Sequence, residues 1–396
     1  MLLSFRRLAT VLSLAISASV QAGPIAPLKY PEPEVLPERS LLSAMDRIRD
    51  GELRGAITDL EDLLREKPNF RAAQLIYADL LAARSGHGLG LFDRRHPEVE
   101  ALLEETRSRL NAEQFAPKPG TVPSAVLELA SEYPYLVLVD LSGNRLHLMR
   151  NVDGQLRHIG SRYAGIGRAG FGKQIEGDLR TPVGVYHITG WKADESLPEL
   201  YGAGALPLDY PNLWDRHLQK TGYGIWVHGV PRDTFARPPR SSEGCVTLAN
   251  DDLLWLRPFV YRSQTPVVLS ADLEWIPRQT ARQRRDQFLQ RFDAWRQHWI
   301  DLDTEGYLRI YADEFQIPGM DRQAFAEYRR EVDRGKTFVE MKVRDLSLFN
   351  YPGEDMLVAK FTLDYRTDHY QTSSRREQYW RRDAQGDWKI IREEDR

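Results

Sequence analysis

Gly224-Ile225-Trp226-Val227-His228-Gly229, followed seventeen residues after its histidine by Ser242-Glu243-Gly244-Cys245, decides how this 396-residue chain is read. Cys245 is the only cysteine. It has no intrachain disulfide partner, and one thiol makes a poor thiolate metal site, so packing or reactivity remains. The glycine before it permits a sharp turn that exposes the sulfur and leaves the Gly244 and Cys245 N–H groups available to a developing oxyanion. The apolar run 224–227 reads as a strand with His228 at its end. There an imidazole is either a satisfied structural group or the base for the thiol, and an imidazolium beside a thiolate would hold the cysteine pKa well below its free value. The order His-Gly, loop, Ser-x-Gly-Cys favours the nucleophile and base.

Around this core the chain changes texture twice. Residues 135–140 and 145–149 flank Ser142-Gly143-Asn144 and read as a hairpin, and further strands are expected at 183–189, 224–227 and 266–269. The centre is thus a mostly β domain. Before it, Leu42, Met45, Ile48, Leu53, Ala56, Ile57, Leu60, Leu63 and Leu64 recur at helical spacing until Pro68, and a further helix is expected at 97–113. Ala44, Ala56 and Pro68 suit one tetratricopeptide-like repeat, with a second fading after residue 81. A repeat and a half cannot bury its own core, so it docks onto the rest of the chain or onto a second copy. Behind the β domain, Phe288, Phe292, Trp295 and Trp299 line one face of a long helix, two more helices follow near 308 and over 323–332, and alternating strands fill 338–391.

Arg6 and Arg7 before an apolar stretch that ends at Val20-Gln21-Ala22 read as a secretory signal peptide over 1–22, and a proline-rich linker follows over 23–39. No stretch approaches the length of a membrane span. The formal charge is −3, or −5 without residues 1–22, which argues against a nucleic-acid partner. The Gly-rich stretch 165–172 lacks the strand-to-helix setting of a phosphate loop.

With these residues in view, the centre resembles the L,D-transpeptidase catalytic domain of the YkuD type, whose motif is His-Gly, a spacer, then Ser/Thr-His-Gly-Cys. Residues 137–146, the segment from Glu176-Gly177-Asp178 to Thr181-Pro182-Val183-Gly184, and Asn250-Asp251-Asp252-Leu253 extend the resemblance over about 133–271. The last region, about 280–396, resembles the nuclear-transport-factor-2-like (NTF2-like) cone. The expected architecture is therefore multidomain: an α-helical TPR-like region at 40–115, a mainly β L,D-transpeptidase-like sandwich, and an α+β NTF2-like domain. That combination is similar to the cell-shape L,D-carboxypeptidases of helical bacteria, whose N-terminal part dimerises.

The resemblance implies a periplasmic enzyme in which Cys245 attacks the diaminopimelate carbonyl of a peptidoglycan tetrapeptide stem and His228 moves the proton. The Gly229 carbonyl would orient the imidazole, and Gly244 and Cys245 would bind the oxyanion. A thioester then passes to an amine (transpeptidation) or to water (carboxypeptidase action), with no metal or organic cofactor. Ser242, Glu243, Arg232, Arg237 and Arg240 are candidate substrate-binding residues, and Arg162, Arg168 and Lys173 invite the same reading beside that of a solvated loop. Glu243 departs from the usual histidine and would raise a nearby thiol pKa unless a cation such as Arg240 pairs with it. A non-catalytic wall-binding protein on the same fold is the alternative of another class, and Tyr311, Trp380 and Trp388 are read as core rather than as a ligand platform.

Overall fold

A computed structural model describes residues 37–87, 96–260, 265–317 and 319–395. The signal peptide and nearly all of the expected linker lie outside the described residues. The first helix starts at Pro37, where proline's fixed φ suits a first helical turn, so the last three residues assigned to the linker are helical.

Four helices, Pro37–Arg49, Leu53–Glu66, Arg71–Arg84 and Pro97–Leu110, form the N-terminal region. Their apolar stripes (Leu41, Ala44, Ile57, Leu60, Leu63) meet Phe70 and Ala73 and then Tyr163, Phe235, Ala236 and Ala249 of the β domain in one core. The region therefore docks onto its own chain. A buried ion cluster reinforces the junction: Arg109 reaches Glu105 at 2.8 Å and Glu38 at 3.1 Å, and Arg145 reaches Glu38 at 2.7 Å. The Arg109 guanidinium also lies 4.0 Å from the Tyr163 ring centroid.

The central domain packs a five-stranded sheet, in the order Gln155–Tyr163, Arg145–Val152, Tyr135–Asp140, Pro266–Ser270, Gly184–His187, against a four-stranded one, Val246–Thr247, Trp226–His228, Gly204–Pro207, Lys192–Ala193. The hairpin forms as its sequence suggests, with Tyr135 opposite Arg150 and Asp140 opposite Arg145. Strand Tyr135–Asp140 is apolar on both faces for a reason. Val137 and Val139 enter the core between the two sheets, whereas Leu136 and Leu138 enter a second core with Phe349, Met356, Val358 and Tyr379 of the C-terminal domain.

That last domain has helices Arg278–Ile300, Thr304–Leu308 and Arg322–Asp333 on a seven-stranded sheet. Phe288, Phe292, Trp295 and Trp299 fill its core with Tyr311 and Trp380, while Trp388 packs at the margin. Three strands of this sheet escape the sequence reading, the short Met320–Asp321 beside Tyr311–Ile317 among them. Tyr311–Ile317 runs parallel to Trp388–Asp395, and Val126–Glu128, from the segment before the central domain, pairs with Val339–Asn350 at the opposite edge.

Candidate active site

The histidine and the cysteine are brought together by a parallel strand pair. Val227 is opposite Val246 and His228 opposite Thr247. The two valines, both fully buried, point into the core. Trp226, His228, Cys245 and Thr247 therefore share the other face, because in-register residues of a parallel pair point the same way and neighbours along a strand alternate.

Burial dominates the electrostatics of this face. His228 is 3 % exposed, and its Nδ1 lies 2.6 Å from the Gly229 carbonyl oxygen. A carbonyl only accepts, so Nδ1 carries the hydrogen and Nε2 keeps its lone pair. Burial pulls the imidazole pKa down to about 4, against the Gly229 contact, which raises it, and with help from the Arg237 charge. The half-buried Cys245 goes the other way. Burial pushes it up to about 11, the Trp226 backbone opposes this, and the Glu243 carboxylate adds to it. The thiol donates to the Gly224 carbonyl at 3.4 Å. Burial thus works against both charges of the thiolate–imidazolium pair expected from sequence and favours a neutral thiol and a neutral imidazole before substrate arrives.

The turn at the cysteine differs from expectation in one donor. Gly244 has φ +127°, and a Cβ there would sit 2.8 Å from the Arg180 carbonyl, which explains the glycine. Its N–H, however, donates to Ser242 Oγ at 3.1 Å, and that hydroxyl donates to the Cys245 carbonyl at 2.6 Å. Ser242 thus shapes the turn, and Gly244 is not a free oxyanion donor. The Cys245 N–H is left.

The flanking cations sort themselves by partner. Glu243, 77 % exposed, pairs with Arg168 at 2.6 Å, not with Arg240, which is exposed on strand Arg240–Ser242. Arg232 is tied to Glu199 at 2.5 Å and Asp194 at 2.6 Å. Arg162 is buried against Asp252 at 2.9 Å and over the Trp255 ring. Lys173 reaches Asp178 at 2.9 Å, and the Asp178 carboxyl, drawn down to about 2, also accepts from the Gln174, Ile175 and Arg180 N–H groups. The Glu-Gly-Asp segment therefore builds a loop. Arg237 is different. Its Nη2 donates to the Ser241 carbonyl at 2.5 Å, it senses the charges of Cys245 and Glu243, and burial with the neighbouring Arg168 lowers its pKa.

Two further residues belong to the site. The Tyr201 ring packs edge-on against His228 with centroids 4.9 Å apart and tilted against Trp226 at 5.0 Å, and burial, with the Cys245 and Glu243 charges, raises its pKa. Asn250 opens the helix Asn250–Val260. Its Oδ1 accepts from Ala203 N–H at 2.8 Å and Val230 N–H at 3.2 Å, and its Nδ2 donates to the Val230 carbonyl at 2.8 Å. A Cβ on Gly229 would meet that Oδ1 at 2.2 Å. Asn250 therefore holds the backbone beyond His228 against the Tyr201 turn. No local pattern marks either role, since both depend on segments brought together by the fold.

Residues 134–269 match the L,D-transpeptidase catalytic domain family, YkuD, and residues 287–394 match the Cds6 C-terminal NTF2-like domain. No curated protein matches the chain in sequence. Among solved structures, Bd1075 of Bdellovibrio bacteriovorus is similar at 25% identity and a TM-score of 0.62, over 69% of this chain and 98% of that one. The helical cell shape determining protein Pgp2 from Campylobacter jejuni is similar at 26% identity and a TM-score of 0.58, over 72% of this chain and 99% of that one. Among the described residues no helix is long and apolar enough to cross a membrane. The chain thus carries a YkuD-type L,D-transpeptidase catalytic domain followed by an NTF2-like domain.

Proposed function

We propose that this protein is a periplasmic, cysteine-dependent L,D-transpeptidase that acts on diaminopimelate-containing tetrapeptide stems through a thioester. The observation that carries the reading is the shared face of His228 and Cys245, with Nδ1 of the imidazole tied to Gly229 and Nε2 left as the acceptor. As Sγ attacks the diaminopimelate carbonyl, the thiol proton leaves the Gly224 carbonyl for His228 Nε2. The carbonyl oxygen takes up negative charge beside the Cys245 N–H. Collapse breaks the bond to the terminal D-Ala, whose amine takes the proton from His228. An acceptor amine or water then attacks the thioester, gives its proton to His228, and the thiol is regenerated. Of the three loop arginines proposed for substrate binding, Arg237 is the one assigned to receive a stem carboxylate: Arg232 is already held by Glu199 and Asp194, Arg240 is exposed on its strand, and the Arg237 charge couples to that of Cys245.

Water as the acceptor, giving L,D-carboxypeptidase action, is the second reading. It is favoured by the likeness that runs over nearly the whole length of a cell-shape determining protein. Incubation with purified tetrapeptide muropeptides, read by mass spectrometry, tests both: crosslinked product marks transfer and tripeptide marks hydrolysis. A carbapenem adduct at Cys245 in the parent but not in Cys245→Ala separates an enzyme from a wall-binding protein. Absence of both product and adduct would refute the acyl-transfer reading.

A further inference from the structure

The loop between His228 and Cys245 is held from outside the catalytic domain. Residues 67–70, the turn between helices Leu53–Glu66 and Arg71–Arg84, grip it at several points. The Phe235 N–H donates to the Asn69 carbonyl at 3.1 Å, and Asn69 Nδ2 donates to the Arg232 carbonyl at 3.0 Å. The Phe70 and Phe235 rings lie 4.4 Å apart, with Phe70 only 1 % exposed. Lys67 Nζ is 2.5 Å from Asp251 on the helix that follows the cysteine. From the other side, the Tyr163 hydroxyl donates to the Arg237 carbonyl at 3.1 Å.

These contacts answer a need of the loop. Over 229–239 it has no strand or helix to satisfy its backbone groups, and Pro231, Pro238 and Pro239 donate nothing. Asn69 supplies an acceptor through its main chain and a donor through its side chain, and Phe70 anchors the Phe235 ring between them. The helical region thereby provides the wall against which the loop is shaped. His228 does not depend on it in the same way, since strand register with Thr247 fixes it, and Cys245 directly precedes that partner strand.

We infer that the 67–70 turn is a positioning element for substrate recognition: it fixes the 231–239 loop and through it the Arg237 guanidinium that takes a stem-peptide carboxylate. The inference rests on the role proposed above for Arg237. Its signature is a separation of binding from thiol chemistry. Loosening the turn should weaken capture of a charged stem peptide and leave the reactivity of Cys245 toward a small uncharged reagent as it was.

The test uses the full chain with Asn69→Ala, Phe70→Ala and Phe70→Leu. Asn69→Ala removes one hydrogen bond and no core packing, so KM for a diaminopimelate tetrapeptide should rise about three- to tenfold. Phe70→Ala should raise it further, and Phe70→Leu should recover most of the loss. In Asn69→Ala and Phe70→Leu, kcat and the rate of Cys245 alkylation by iodoacetamide should stay at the parental level, while amide exchange at Phe235 accelerates in Asn69→Ala. An unchanged KM in both Asn69→Ala and Phe70→Ala overturns the inference, as does alkylation that falls in step with turnover in Asn69→Ala. If the parent itself turns over no tetrapeptide, the proposed function fails instead. The clamp is then judged on exchange across 231–239, and unaltered exchange in Asn69→Ala and Phe70→Ala overturns it.

Discussion

Titrating the alkylation of Cys245 separates two ways of making a nucleophile. With the thiol pushed up to about 11 and the imidazole pulled down to about 4, both groups are neutral across the physiological range. At pH 7 the thiol lies about four units below its midpoint, so the thiolate fraction is on the order of one in ten thousand. Only the thiolate reacts with iodoacetamide. The labelling rate should therefore climb about tenfold per pH unit from 7 to 10, without a plateau. His228→Ala should leave that curve nearly in place while slowing turnover by roughly two to four orders of magnitude, because the base works only as substrate is attacked. A thiolate–imidazolium pair predicts the reverse on both counts: a plateau between pH 5 and 8, and loss of labelling at pH 7 with the histidine gone. Mass-spectrometric labelling of parent and variant from pH 5 to 10.5 reads both, and a plateau would refute the neutral-pair reasoning.

Gly244→Ala must place a Cβ 2.8 Å from the Arg180 carbonyl at φ +127°, so a stability loss of about 1–3 kcal/mol is expected together with loss of turnover; an unchanged melting temperature would show that the turn yields freely. Glu38 is paired with Arg109 and Arg145, which hold its carboxyl below the ordinary 4.5 despite burial. The stability it supplies is present above pH 4.5 and lost as pH falls through its folded value, so Glu38→Gln should flatten that acid limb in denaturant titrations. Glu38→Ala, which leaves buried arginines short of a partner, should cost about 3–5 kcal/mol, and a cost near zero would show that water replaces the carboxylate. Glu243→Gln removes an exposed charge already bound by Arg168, so the alkylation curve should move to lower pH by less than about one unit; a larger shift would make Glu243 rather than burial the main cause of the raised thiol.

What could be read from sequence follows the range of the interactions. The stripe Phe288, Phe292, Trp295, Trp299 announces its helix because its spacings are four, three and four, and the hairpin at 142–144 announces itself through its turn residues. Strand Tyr311–Ile317 does neither. Its burial runs in pairs rather than alternating, since its register with Trp388–Asp395 is broken. Val126–Glu128 is three residues long, and its partner strand lies more than two hundred residues further on. At the site, the chemistry-bearing residues follow a local motif, whereas their settings are tertiary: Arg168 rather than Arg240 on Glu243, and Asn250 across two loops.

The same distinction bears on the domains. Strand Tyr135–Asp140 is readable as buried on both faces, but sequence does not say by what. The answer is that Leu136 and Leu138 are covered by Phe349, Met356, Val358 and Tyr379, and the far side of strand Gln155–Tyr163 is reached by the helices through Tyr163. Val126–Glu128 even completes the C-terminal sheet from the segment before the catalytic domain. The expected limits at 133 and 271 therefore mark where texture changes and not where cores end. Cutting there would strip one face of the sheet that carries the hairpin, and would expose Phe235 on the loop that joins His228 to Cys245. The flanking regions are part of what makes the catalytic sheet fold around its nucleophile, which is why their contribution should register in substrate capture as well as in stability.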